Sequence, residues 1–147
     1  MHNEIIILKN LLHHEEFARR VIPFLKEEYF HDKSESIVFV EIKNFIIKYN
    51  SIPTKEAIEI SINKSRSLNE EEYKSIGRIM DSIGTCEEQN YQWLLDETEK
   101  FCKDKSVYNA IMESIHIIDG KSRDKTDTAI PHILSDALAV SFDTHIG

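Results

Sequence analysis

A run of about 30 residues, from Glu87 to Ile118, contains neither proline nor glycine. Because these two residues are the usual interruptions of a helix, the run predicts one long α-helix. At a rise of 1.5 Å per residue, such a helix is about 45 Å long. Thr85 and Glu88 have the spacing of a capping box, which predicts that the helix begins just after Thr85.

Two apolar stripes lie along this predicted helix. The first alternates steps of four and three residues and consists of Leu94, Thr98, Phe101, Lys105, Tyr108, Met112 and Ile115. The second flanks it and consists of Tyr91, Leu95, Cys102, Val107, Ile111 and Ile118. Two stripes on one helix exceed what a single neighbouring helix can cover. We therefore expect this part of the chain to pack against more than one neighbour.

The residues after Ile118 predict a second, shorter helix that returns along the first. A polar loop at 119–128 is followed by a helix over about 131–141, which starts with Pro131 in a tolerated first-turn position. Together the two helices form a hairpin, and a hairpin this narrow cannot bury all its apolar side chains internally. We expect another copy or a partner to cover the following residues: Tyr91, Leu94, Leu95, Phe101, Tyr108, Met112, Ile115, Ile133, Leu134 and Leu138.

The first half of the chain predicts five shorter helices, over about 4–12, 14–25, 34–49, 55–64 and 69–83. Ser34 and Thr54 are predicted N-caps, and Asn69 with Glu72 forms an asparagine variant of the capping box. The expected fold is all-α and one domain overall. Its predicted parts are a compact helical head at 1–84, a helical hairpin at 85–141 and the start of a linker at 142–147.

The composition limits what the chain can bind. Of its 147 residues 41% are hydrophobic and 30% charged, which is typical of a folded protein, and the formal net charge is −8. A domain that grips DNA phosphates tightly normally has a basic face. The chain has no basic secretory start and no apolar run of membrane-spanning length, and its two cysteines are not in CxxC spacing. We expect a cytoplasmic location, in the host cell if the gene is viral, and no membrane partner.

The sequence offers no recognisable catalytic motif. Its four glycines, at positions 77, 84, 120 and 147, do not fit the phosphate-binding loop G-x-x-x-x-G-K-[ST]. We therefore expect no catalytic, cofactor-binding or metal-binding residue in this chain, and no ATP hydrolysis by a P-loop mechanism.

One alternative is enzymatic. His31-Asp32 matches the dipeptide of HD-type metal phosphohydrolases, and His13-His14 would be the upstream ligands of a metal that activates water. The dipeptide lies in a predicted turn, however, whereas the ligands of that family lie on helices. A second alternative, stacking of single-stranded nucleic acid on the aromatic side chains of the long helix, lacks the interleaved Arg and Lys that such surfaces carry.

Several strings resemble the N-terminal domain of DnaB-type replicative DNA helicases. The first half carries Phe24-Leu25-Lys26-Glu27-Glu28-Tyr29-Phe30, a helix ending Ile46-Ile47-Lys48-Tyr49, and then Ser51-Ile52-Pro53-Thr54 before a short helix. Two further strings resemble the T-even-type phage branch of that family. They are Trp93-Leu94-Leu95-Asp96-Glu97-Thr98-Glu99-Lys100, and Ala129-Ile130-Pro131-His132-Ile133 leading to Ala137-Leu138 and Ser141-Phe142-Asp143.

The resemblance implies a non-catalytic collar domain in a hexameric helicase that moves 5′ to 3′ along single-stranded DNA. Members of the family pair through their hairpins, assemble as a trimer of dimers and recruit primase; a helicase loader is a further expected partner. The ring would encircle single-stranded DNA with weak contacts. ATP and Mg²⁺ would be bound only by a motor domain beyond Gly147. The alternative that stays open is a free-standing helical adaptor protein of phage replication.

Overall fold

The computed structural model describes residues 3–142, which form seven α-helices, three short 3₁₀ turns and no β-strand. This confirms the predicted all-α fold. The helices are α1 (Asn3–His13), α2 (Glu15–Val21), α3 (Lys33–Tyr49), α4 (Lys55–Ser65), α5 (Glu70–Ile83), α6 (Tyr91–Ile118) and α7 (Ile130–Leu138). The 3₁₀ turns are Ile22–Phe24, Glu27–Tyr29 and Asp127–Ala129. Of the predicted linker start, 143–147 lie outside the described residues.

The chain divides into two compact units, Met1–Leu95 and Asp96–Gly147, so that α6 begins in the first unit and continues in the second. In the first unit α1 contacts α2, α3 and α5, and α3 also contacts α4 and α5. Its core draws on every one of these helices and on the first turn of α6. The fully buried large side chains include Leu8, Leu11, Phe17, Phe39, Ile42, Ile58, Met80, Ile83 and Leu94.

Helix starts in the first unit follow the capping rules. Thr54 Oγ1 accepts a hydrogen bond from the Ala57 amide, which confirms the predicted start of α4. The predicted capping box of α5 is also confirmed. The predicted N-cap Ser34 is wrong, because Asp32 Oδ1 accepts from the Glu35 amide at 3.0 Å and α3 begins one residue before Ser34. Carboxylate and hydroxyl groups both cap helices well, so the residue type alone does not decide between Asp32 and Ser34.

The long helix α6 begins at Tyr91, later than predicted. Asn90 Oδ1 accepts a hydrogen bond from the Trp93 amide at 2.9 Å, so Asn90 is its N-cap. The predicted capping box of Thr85 and Glu88 is therefore wrong, and residues 85–90 are not helical. The 28 residues of α6 correspond to about 42 Å.

The second unit is a helical hairpin. Gly120 ends α6 with a φ of +74°, while the Lys121 amide donates to the His116 carbonyl and the Gly120 amide to the Ile117 carbonyl. This is a Schellman motif, in which the left-handed conformation favours glycine. Polar contacts join the returning chain to α6. Lys125 forms an ion pair with Glu113, and the Ser141 hydroxyl and the Phe142 amide donate to Glu99 Oε2 at 3.2 and 2.7 Å. Pro131 lies in the first turn of α7, as predicted.

Candidate self-association surface

The C-terminal half of α6 presents five large apolar side chains to solvent. They are Tyr108, Ile111, Met112, Ile115 and Ile118, and their exposed fractions lie between 40% for Met112 and 69% for Ile118. With 3.6 residues per turn, they occupy an arc of about 120° on one side of the helix. We call this set the α6 apolar face.

The other side of the same helix segment is buried. Ala110, Ser114 and Ile117 are all less than a tenth exposed. The buried Ser114 hydroxyl donates a hydrogen bond to the Ala110 carbonyl at 2.8 Å. Ala110 and Ile117 lie roughly opposite the α6 apolar face around the helix axis, and Ser114 lies between them and Ile118. One side of this α6 segment is therefore buried, while the apolar face is exposed.

Very little charge interrupts the α6 apolar face. Between Ser106 and Ile118 the acidic and basic residues are Glu113 and, where protonated, His116. Glu113 is already paired, because Lys125 Nζ lies 2.5 Å from its Oε2. This hydrogen bond and the charge of Glu113 raise the pKa of Lys125 above its ordinary value of 10.5. Covering a surface that contains a carboxylate costs free energy, because the charge loses its water. This cost is lower for Glu113, because Lys125 already neutralises its charge.

The predicted interface residues fall into three groups in the structure, which are exposed, half-buried and buried. Tyr108, Met112, Ile115 and Leu138 are exposed, Leu138 by 71%, and Ile133 and Leu134 of α7 are half-buried. Leu94 and Phe101 are buried within the chain itself, at 0% and 4% exposure. These two side chains therefore contribute to the core and not to the exposed surface.

Tyr91 and Leu95 are half-buried at the beginning of α6. The Tyr91 ring stacks on the His14 ring, with 5.3 Å between the ring centroids, and burial is the main cause of a raised pKa for its hydroxyl. Ile111 and Ile118, in contrast, were not among the predicted interface residues, although they are members of the flanking stripe. Their exposure and their position on the same helical arc place them on the α6 apolar face.

The residues of the HD-type hypothesis have other partners in the structure. Asp32 caps α3, His13 Nε2 lies 2.8 Å from the Ile83 carbonyl, and His14 Nδ1 accepts a hydrogen bond from the Phe17 amide. Within residues 3–142, no three His, Cys, Asp or Glu side chains are grouped so that they could hold a metal ion. In the same range, no helix has both the length and the apolarity that crossing a membrane requires.

Comparison with known proteins identifies a phage relative. No family model matches the chain. A DnaB-like replicative helicase of Enterobacteria phage T4 is 29% identical over 150 residues, an alignment that covers 97% of this chain. The chain spans 31% of the length of that relative. The predicted resemblance to DnaB-type replicative helicases, in their T-even-type phage branch, is thereby confirmed.

Proposed function

We propose that this chain is the N-terminal collar domain of a phage replicative DNA helicase, in which it joins the subunits of a hexameric ring and recruits primase. The similarity supports this proposal because it extends over nearly all of this chain and about a third of a helicase. In this account the domain itself is non-catalytic. The ATP- and Mg²⁺-dependent motor lies outside this chain, and the whole protein acts at the replication fork in the host cytoplasm.

The observation that carries the self-assembly part is the α6 apolar face. An isolated exposed apolar residue needs no explanation, but five on one helical arc form a continuous patch of the kind that marks protein interfaces. A standard interface buries about 800 Å² per partner. One arc of a helix supplies part of that area, so the interface would extend to other exposed hairpin residues such as Leu138.

The charge of the chain fits a collar that surrounds DNA with weak contacts. With a net charge of −8, the domain repels phosphates on average. Tight binding of DNA would slow the movement of a ring along a single strand, whereas an acidic collar leaves the strand free to slide. We propose that single-stranded DNA passes the domain and is not gripped by it.

Binding to the cognate primase tests the recruitment part, and we expect the purified wild-type chain to retain primase in co-sedimentation.

A substitution on the α6 apolar face tests the self-assembly part, and we expect the Tyr108→Glu variant to lose self-association. Ile47→Glu is the matched control, because Ile47 is also exposed and lies on α3 in the other unit. A wild-type chain that is a strict monomer at every concentration and never retains primase would contradict the proposal.

A further inference from the structure

A groove lies between α4 and α5 in the first unit. Its floor is formed by Ile62, Ile76 and Met80, all of which are nearly fully buried, and Leu68 and the exposed Tyr73 lie at its edge. The open volume is about 120 Å³. That is close to the roughly 150 Å³ of an engineered apolar cavity that accepts benzene, so the groove can take one medium-sized apolar side chain.

Gly77 keeps this groove open. It lies in the interior of α5 and lines the groove, and a Cβ built on it would meet no atom within 4 Å. Glycine is a poor helix former, and close packing is the usual reason for one inside a helix. Here no neighbouring atom of the described residues requires its small size. The glycine therefore leaves room for an atom group from outside the chain.

One carboxylate borders this apolar space. Glu59 is the charged residue among the described groove-lining residues, it is half-buried, and no Lys or Arg of residues 3–142 forms an ion pair with it. A carboxylate in this position favours a Lys or Arg on the occupant, because the pairing would compensate for the water that the occupant displaces. A second copy of this chain, at a net charge of −8, is the less favourable occupant.

We infer that the groove binds an amphipathic helix of a basic partner protein, with one leucine-sized side chain over Gly77 and a neighbouring Lys or Arg paired with Glu59. An apolar anchor in a groove and a charged contact at its edge are the usual elements of helix-in-groove recognition. This binding site goes beyond the collar function.

A peptide titration followed by ¹⁵N NMR tests the inference. The probe is a synthetic helical peptide with leucines at four-residue spacing and flanking lysines, and the comparison peptide has glutamates in place of the lysines. We expect the lysine peptide to shift the amide signals of Ile76, Gly77 and Met80. We expect the glutamate peptide to bind at least tenfold more weakly.

Two variants make the test specific for the groove. Gly77→Leu fills the space, and because leucine is a better helix former than glycine the chain stays folded. We expect its affinity for the lysine peptide to fall at least tenfold. Glu59→Gln removes the carboxylate charge and should weaken binding of the lysine peptide alone. Arg78→Leu is the control, because it places the same side chain at an exposed neighbouring position of α5 that does not line the groove.

Three results would overturn the inference. The first is that neither peptide shifts the groove signals, and the second is that Gly77→Leu binds the lysine peptide as well as Arg78→Leu does. The third is that the groove signals of the wild-type chain move with its own concentration in the absence of peptide, which would identify a second copy as the occupant.

Discussion

Asn69 and Glu72 each satisfy a backbone amide at the start of α5. Asn69 Oδ1 accepts from the Glu72 amide at 2.8 Å, and Glu72 Oε1 accepts from the Asn69 amide at 3.0 Å. Without these side chains the amides of the first helical turn have no partner within the helix. The sequence predicted this pair because both bonds are local, and local bonds depend on spacing alone.

Replacing Asn69 with alanine tests the contribution of the cap. We expect Asn69→Ala to lower the free energy of unfolding by about 1 kcal/mol, since alanine cannot accept the hydrogen bond. Chemical denaturation measures the change. Ser67→Ala, at an exposed position outside the helix, is the control and should leave stability almost unchanged. Equal losses in both variants would show that the cap is not responsible.

Glu72 also predicts a dependence of stability on pH. Lys33 Nζ lies 2.9 Å from its carboxylate, and this hydrogen bond, followed by the one from the Asn69 amide, lowers the pKa of Glu72 below its ordinary 4.5. The ionised form is thus favoured by folding. Its contribution is present above pH 4.5 and is lost as the pH falls through the lowered pKa of the folded state.

The variant Glu72→Gln isolates this effect. We expect wild type to be more stable than Glu72→Gln at about pH 6, and the difference to shrink as the pH falls to about 3. Denaturation curves of the two proteins over this range measure it. A difference that stays constant with pH would exclude ionised Glu72 as its source.

At the scale of helices, two glycines have opposite roles. Gly120 ends α6 with a φ of +74°, a conformation that an L side chain adopts only with strain, whereas Gly77 has open space around its Cβ position in α5. We expect Gly120→Ala to destabilise the chain by about 1 kcal/mol and Gly77→Ala to stabilise it by about 0.5–1 kcal/mol. Thermal unfolding of both variants measures the signs. The same sign for both would contradict this assignment.

The beginning of α6 shows where local pattern fails. Thr85 and Glu88 have the spacing of a capping box, yet Asn90 is the residue that caps the helix. Several residues before a long helix can each accept a hydrogen bond from a free amide. Tertiary contacts of the preceding segment, such as the 3.5 Å contact between Cys86 and Asn10, help to decide between them. A contact between residues 76 positions apart cannot be predicted from the spacing of neighbouring residues.

Burial along α6 could not be predicted from spacing either. Leu94 and Tyr108 belong to the same predicted stripe, but Leu94 is fully buried and Tyr108 is half exposed. The periodicity identifies which residues share a face, while exposure depends on what packs against each part of that face. Leu94→Glu would therefore place a carboxylate in the core and report on stability, and Tyr108 is the better position for tests of association.

For the molecule as a whole, the sequence predicted an all-α chain and its hairpin, because glycine-free runs, caps and polar loops are local signals. The exposed set of residues was predicted in part, through Tyr108, Met112, Ile115 and Leu138. The groove between α4 and α5 was not predicted, since it depends on the packing of two helices and on the open space beside Gly77. The spacing of residues along the sequence does not show how two helices pack, so it cannot predict such a space.

The central claim is that copies of this chain associate through the α6 apolar face, and the molar mass of Ile115→Glu tests it most directly. Ile60→Glu is the matched control, because it is the same substitution at an exposed position, 55% against 45%, on α4. Light scattering over a range of protein concentrations measures the mass of both variants and of wild type.

We predict that wild type and Ile60→Glu increase in mass with concentration and that Ile115→Glu stays monomeric. The reason is that the glutamate would place an unpaired charge in the centre of the covered surface, where it loses its water. A wild-type chain that is monomeric throughout, or an Ile115→Glu variant that associates as strongly as Ile60→Glu, would contradict the account.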